Sequence, residues 1–133
     1  KERVAKVNIE AMLMFSFNAN DEVMWENYFL KAQTNDVNSG IISSSMLMDI
    51  TDEHLQMVYA TSDNATGIYS VYNYVLWDAT NGNKIKEVAL ENEERLALVR
   101  NYSILINDRL ILVGRKGLLG KKYIMNMYKI KSE

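Results

Sequence analysis

Apolar and polar residues alternate along most of this chain with a period of two, in strand-length runs separated by short polar turns. The clearest run extends from Tyr69 to Thr80, followed by Asn81-Gly82-Asn83 and a second run from Lys84 to Leu90. Asn-Gly suits a two-residue hairpin loop, because both central residues take positive φ there and these two tolerate it. An earlier hairpin runs from Ile9 to Phe17, turns through Asn18 to Glu22 and returns from Val23 to Leu30. Leu13, Phe15 and Phe17 share one face of its outgoing arm, with Met12, Met14 and Ser16 on the other. In the return arm Val23, Trp25 and Phe29 oppose Met24, Tyr28 and Leu30. Both faces are largely apolar, so both are expected to be covered. A helix over Asp21 to Lys31 is the rival assignment, since Asp21 suits a cap and Glu22 and Glu26 a first turn. The Asn-rich turn and the aromatic content favour a strand.

Further pairs follow: Ile42 to Ile50 with Leu55 to Thr61, and Val99 to Ile106 with Arg109 to Gly114, turning at Asn107-Asp108. A last strand spans Lys122 to Ile130. The pattern predicts an all-β fold of antiparallel hairpins in a single domain, with about nine strands spaced as in a sandwich, barrel or propeller. Their phase suggests propeller-like blades. Ser43 to Ile50, Leu55 to Thr61, Tyr69 to Ala79 and Lys84 to Leu90 form one unit. The three strands from Val99 to Ile130 form a second, and the opening hairpin is the outer half of a preceding one. The alternative is a lipocalin-like up-and-down barrel, with inward Met and Tyr lining a cavity for a small hydrophobic ligand. Against it, no Gly-x-Trp lies near the start, and the faces do not separate by polarity.

At 133 residues with 48% hydrophobic content, the chain is long enough for one real core and too apolar for disorder. No apolar run approaches the length of a membrane-spanning helix, so no transmembrane segment is expected. Cysteine is absent, which excludes disulfides, a thiolate nucleophile and Cys-ligated zinc. The start, Lys1-Glu2-Arg3, is charged and is read as a processed or trimmed end. Net charge is −2, but acids dominate from Asn18 to Arg95 and bases dominate the tail, with Arg109, Arg115, Lys116, Lys121, Lys122, Lys129 and Lys131. A basic tail meets nucleic acid or an anionic surface in some proteins. Here these residues read as turn and edge positions, where Lys discourages strand addition, and no nucleic-acid partner is expected.

Catalytic chemistry has little to stand on. The single histidine, His54, lies in a turn with Asp49, Asp52 and Glu53 nearby. One His without Cys argues against a closed zinc site, and a solvated turn accounts for the acids. Asn18 to Glu22 and Asp63-Asn64 offer loop oxygens without the calcium-loop pattern. Ser43, Ser44 and Ser45 lack a nucleophile-elbow context. Gly114 to Gly120 lacks the Gly-Lys-Ser/Thr spacing of a phosphate loop. No catalytic residue, metal or cofactor is assigned. Asn64 and Asn101 match the glycosylation sequon, a match that would be meaningless if the protein were bacterial. The aromatics Tyr69, Tyr72, Tyr74, Trp77 and Trp25 form the candidate binding surface, where flat rings stack on a carbohydrate or peptide. The competing assignment for Trp77 and its face-mates is core.

The segments Trp25…Lys31-Ala32-Gln33, Ser43 to Met48, Asp52 to Tyr59, Tyr74 to Ile85 and Asp108 to Gly117 together resemble the C-terminal portion of β-propeller-like proteins exported by Bacteroidota. That resemblance implies a propeller-like fragment, an extracytoplasmic location (periplasm or cell surface) and a binding or assembly role. It transfers no functional residue. A propeller needs at least four blades and this chain supplies about two and a half, so the resemblance also implies a larger whole or a different closure. The expected partner is therefore another protein chain or the remainder of a longer one.

Overall fold

The computed structural model describes residues 6–36, 46–62, 69–92, 96–106, 108–116 and 122–130. Its strands are β1 (Lys6–Phe17), β2 (Val23–Asp36), β3 (Met46–Ile50), β4 (His54–Ser62), β5 (Tyr69–Asp78), β6 (Lys84–Glu91), β7 (Ala97–Leu98), β8 (Ile104–Ile106), β9 (Arg109–Arg115) and β10 (Tyr123–Lys129). All pair antiparallel, so the fold is all-β as the alternation predicts. Among the described residues the one helical segment is a 3₁₀ turn, Arg100–Tyr102. The segment Asp21 to Lys31 is turn and strand: Asp21 takes φ 61° in the β1–β2 turn, where a capping residue would be extended. Asn18 organises that turn, its side-chain oxygen accepting from the backbone N–H of Asn20 and of Glu22.

The strands divide into three sheets: the β1–β2 hairpin, a β3-β4-β5-β6 meander, and a third sheet in which β9 lies between β10 and β7 with β8. This is the grouping that the spacing of turns predicts. Hydrogen bonding does not run continuously between the sheets, so the described strands close no single barrel. The expected strand Val99 to Ile106 narrows to β8, and the short β7 precedes it. β7 and β8 pair with the same side of β9, in registers offset by three residues, around the 3₁₀ turn. Ser103 fills the break: its hydroxyl donates to the Val99 carbonyl at 2.9 Å and accepts from the Val113 N–H at 2.9 Å.

The meander is the central layer, and period-two alternation gives it two buried faces. On one, Val58 and Ala60 of β4 and Tyr72 and Tyr74 of β5 meet Leu105, Leu110 and Leu112 of the third sheet. On the other, Leu55, Met57, Tyr59, Val75 and Trp77 meet Met14, Trp25 and Phe29 of the hairpin. Polar atoms carried into the first interface are satisfied. The Tyr72 hydroxyl donates to the Leu96 carbonyl at 2.8 Å, and the Tyr74 hydroxyl to Gln56 Oε1 at 3.0 Å. The result is a three-layer stack, hairpin, meander, third sheet.

The Asn-Gly hairpin joins β5 to β6 as expected, but its loop is longer than two residues. Asp78 N–H bonds the Asn83 carbonyl and Gly82 N–H bonds the Asp78 carbonyl, both at 2.9 Å. Gly82 takes φ 73° while Asn81 stays at negative φ. The extra length follows from the Asp78 carboxylate, which accepts from Thr80 and Asn81 and folds the loop around itself.

Candidate functional site

The turn chemistry resolves into structure. His54 is half-buried at the start of β4, and its backbone N–H donates to the Thr51 hydroxyl at 3.0 Å, closing the β3–β4 turn. Asp52 and Glu53 are exposed beside it. Among the described residues no group of three or more His, Cys, Asp or Glu is placed to hold a metal ion. Hydrogen bonds from Thr80, then from Asn81, hold the Asp78 carboxyl below its ordinary pKa, which is a loop-building role. Ser43, Ser44, Ser45, Asp63 and Asn64 lie outside the described residues, as do residues 117–120. Gly114 is buried in β9, and a Cβ there would lie 2.4 Å from Leu96 Cβ. Close packing of strand against strand explains this glycine.

The candidate aromatics separate. Tyr72 and Tyr74 face the third sheet, Trp77 faces the hairpin, and Trp77 retains 2% of its surface in contact with solvent. These three rings supply core, with Phe29 packed against Trp77 at 5.6 Å between centroids. Tyr69 opens β5, and its side chain lies outside the described residues. Trp25 is half-buried and seats the hairpin on the β5–β6 loop. Its indole N–H donates to the Ala79 carbonyl at 2.8 Å, and Asn27 Nδ2 donates to the Gly82 carbonyl at 2.8 Å. A Cβ on Gly82 would sit 2.6 Å from the Trp25 ring, so only glycine admits this contact.

Buried ionisable groups lie inside the layers. Lys31, on the inward face of β2, is 1% exposed, and burial lowers its pKa to about 8. Its position two residues beyond Phe29 on the same strand face is the sequence signal that it points inward. Burial raises the pKa of Tyr59, Tyr74 and Tyr128, with the charges of Glu87 and Glu91 adding to the effect at Tyr59 and Tyr128 respectively.

Among the described residues, the sheet faces without a neighbour are the two outermost ones. On the hairpin, Leu13, Phe15, Met24, Tyr28 and Leu30 point away from the meander, and Leu13 and Leu30 are 70% and 72% exposed. On the third sheet, Ile104, Ile106, Tyr123, Met125 and Met127 point away from the meander, and Met127 is 74% exposed. The sequence expectation that both hairpin faces are covered holds for the inner face only within this chain. No helix among the described residues is long and apolar enough to cross a membrane. No protein-family model, curated protein or solved structure matches the chain.

Proposed function

We propose that this chain is a non-catalytic β-rich assembly module of an exported bacterial protein or complex, whose two outer sheet faces are covered by further β layers. One observation carries the reading. Among the described residues the central meander has an apolar layer on each side, whereas the hairpin and the third sheet have one apiece and carry exposed large apolar side chains on the side left open. Burying an apolar side chain of this size stabilises by about 1.5–3 kcal/mol, so several such residues on each face give a partner ample driving force. Blade-like stacking supports the propeller resemblance, and that resemblance is the ground for an extracytoplasmic location and for a protein partner or the remainder of a larger chain.

An apolar dye such as ANS, together with sedimentation velocity, tests the reading. Strong dye binding, suppressed on association, is expected. A monomer that binds no dye has no open apolar faces and removes the proposal. Fractionation of the producing cells tests the location, with recovery from the cytosol as the contrary result.

A further inference from the structure

We propose that the outer face of the β1–β2 hairpin in one copy of this chain stacks on the outer face of the third sheet in a second copy, forming a head-to-tail assembly. This rests on the assembly reading above and names the occupant of both faces. The argument is charge complementarity between two apolar surfaces. On the part of the hairpin whose side chains are described, residues 11–31, the charged side chain on the outer face is Glu26, paired across the strands with Phe15. The rim of that face is Asp21 and Glu22, in the β1–β2 turn. The third sheet's outer face instead carries Arg109, Arg115 and Lys129 on the strand positions that alternate with its inward Leu110, Leu112 and Tyr128. Asp108 lies within 3.3 Å of Arg109 and 3.9 Å of Lys129 and partly offsets that end. The positive excess therefore lies toward Arg115, which is half-buried with its Nε enclosed.

Geometry selects the copy and the direction. The two faces lie on opposite sides of the three-layer stack, so one molecule cannot bring its own together. A two-fold contact of hairpin on hairpin brings together two faces whose described charge is acidic, and sheet on sheet brings together two basic ones. Both carry the penalty of like charges across an interface. Hairpin on third sheet pairs acid with base and apolar with apolar. Such a heterologous contact repeats, closing into a ring or continuing as an open chain.

Charge reversal tests this on the 133-residue chain. Sedimentation velocity is run from about 1 to about 100 µM on the parent, on Glu26→Lys and on Arg109→Glu/Arg115→Glu. The parent is expected to self-associate. Each variant alone is expected to associate about tenfold more weakly, and equal mixing of the two is expected to restore association, because the reversed faces are again opposite in charge. Far-UV circular dichroism confirms the fold of each variant. If Glu26→Lys does not fold, Glu26→Gln replaces it, with a smaller effect in the same direction. A parent that stays monomeric yet binds ANS overturns self-stacking and leaves the assembly reading standing. A monomer that binds no dye overturns both. Self-association indifferent to both reversals overturns the pairing of these faces.

Discussion

Replacing Gly82 with alanine should uncouple the hairpin from the meander. Gly82 sits at φ 73°, and the added methyl carbon would lie 2.6 Å from two carbons of the Trp25 ring, far inside the separation of about 3.5 Å at which carbon atoms attract. The left-handed backbone alone costs an L-residue roughly 1–2 kcal/mol. Moving the indole then removes its bond to the Ala79 carbonyl and draws Asn27 from the Gly82 carbonyl, about 1 kcal/mol each. The expected total is about 3–4 kcal/mol, read as a lower urea midpoint by circular dichroism. A double-mutant cycle with Trp25→Ala isolates the contact. Without the ring, Gly82→Ala should cost only the backbone part, leaving a coupling of about 2 kcal/mol. If the alanine costs the same with and without Trp25, to within about 0.5 kcal/mol, the hairpin is not seated on this loop and the layer order fails at its first interface.

Three further outcomes are expected. Gly114→Ala forces a methyl group to within 2.4 Å of Leu96 Cβ, and thermal unfolding should show a loss of about 1–3 kcal/mol through overpacking. Ser103→Ala strands the buried Val113 N–H, so hydrogen exchange at that amide should quicken while stability falls by about 1–3 kcal/mol. Lys31 binds its proton less tightly folded, with a pKa of about 8, than at its ordinary value of 10.5. The unfolded chain therefore holds the extra proton between those values, and stability should rise as pH climbs through 8. Lys31→Met should flatten that rise. Above about pH 10 the trend should reverse in both proteins, because Tyr59, Tyr74 and Tyr128 ionise more readily unfolded.

Alternation and turn residues made the division into a hairpin, a four-strand meander and a last sheet readable, because these units are built mostly from strands adjacent in sequence. Core was already the competing assignment for Trp77, which lies two residues from Val75 on one side and from Ala79 on the other. The strand break at residues 99–103 was not readable. Arg100, Asn101 and Tyr102 contain neither Gly nor Pro, and a serine hydroxyl standing in for backbone leaves no periodic trace. Nor was the choice of open face on the hairpin. Leu13, Phe15 and Phe17 are as apolar as Met12 and Met14 across the strand, so hydrophobicity alone does not rank the two sides. What decides is the fit of Trp25 to a loop 54 residues away, a contact that depends on the folded position of Gly82.

The Ser103 plug has a consequence for strand addition at the border of its sheet. An uninterrupted border strand offers a straight row of amides and carbonyls to any passing chain, the usual beginning of a fibril. Here a three-residue 3₁₀ turn puts a kink in that row, and the border on the β7–β8 side presents two short fragments out of phase with each other. Lateral zippering is frustrated along that margin.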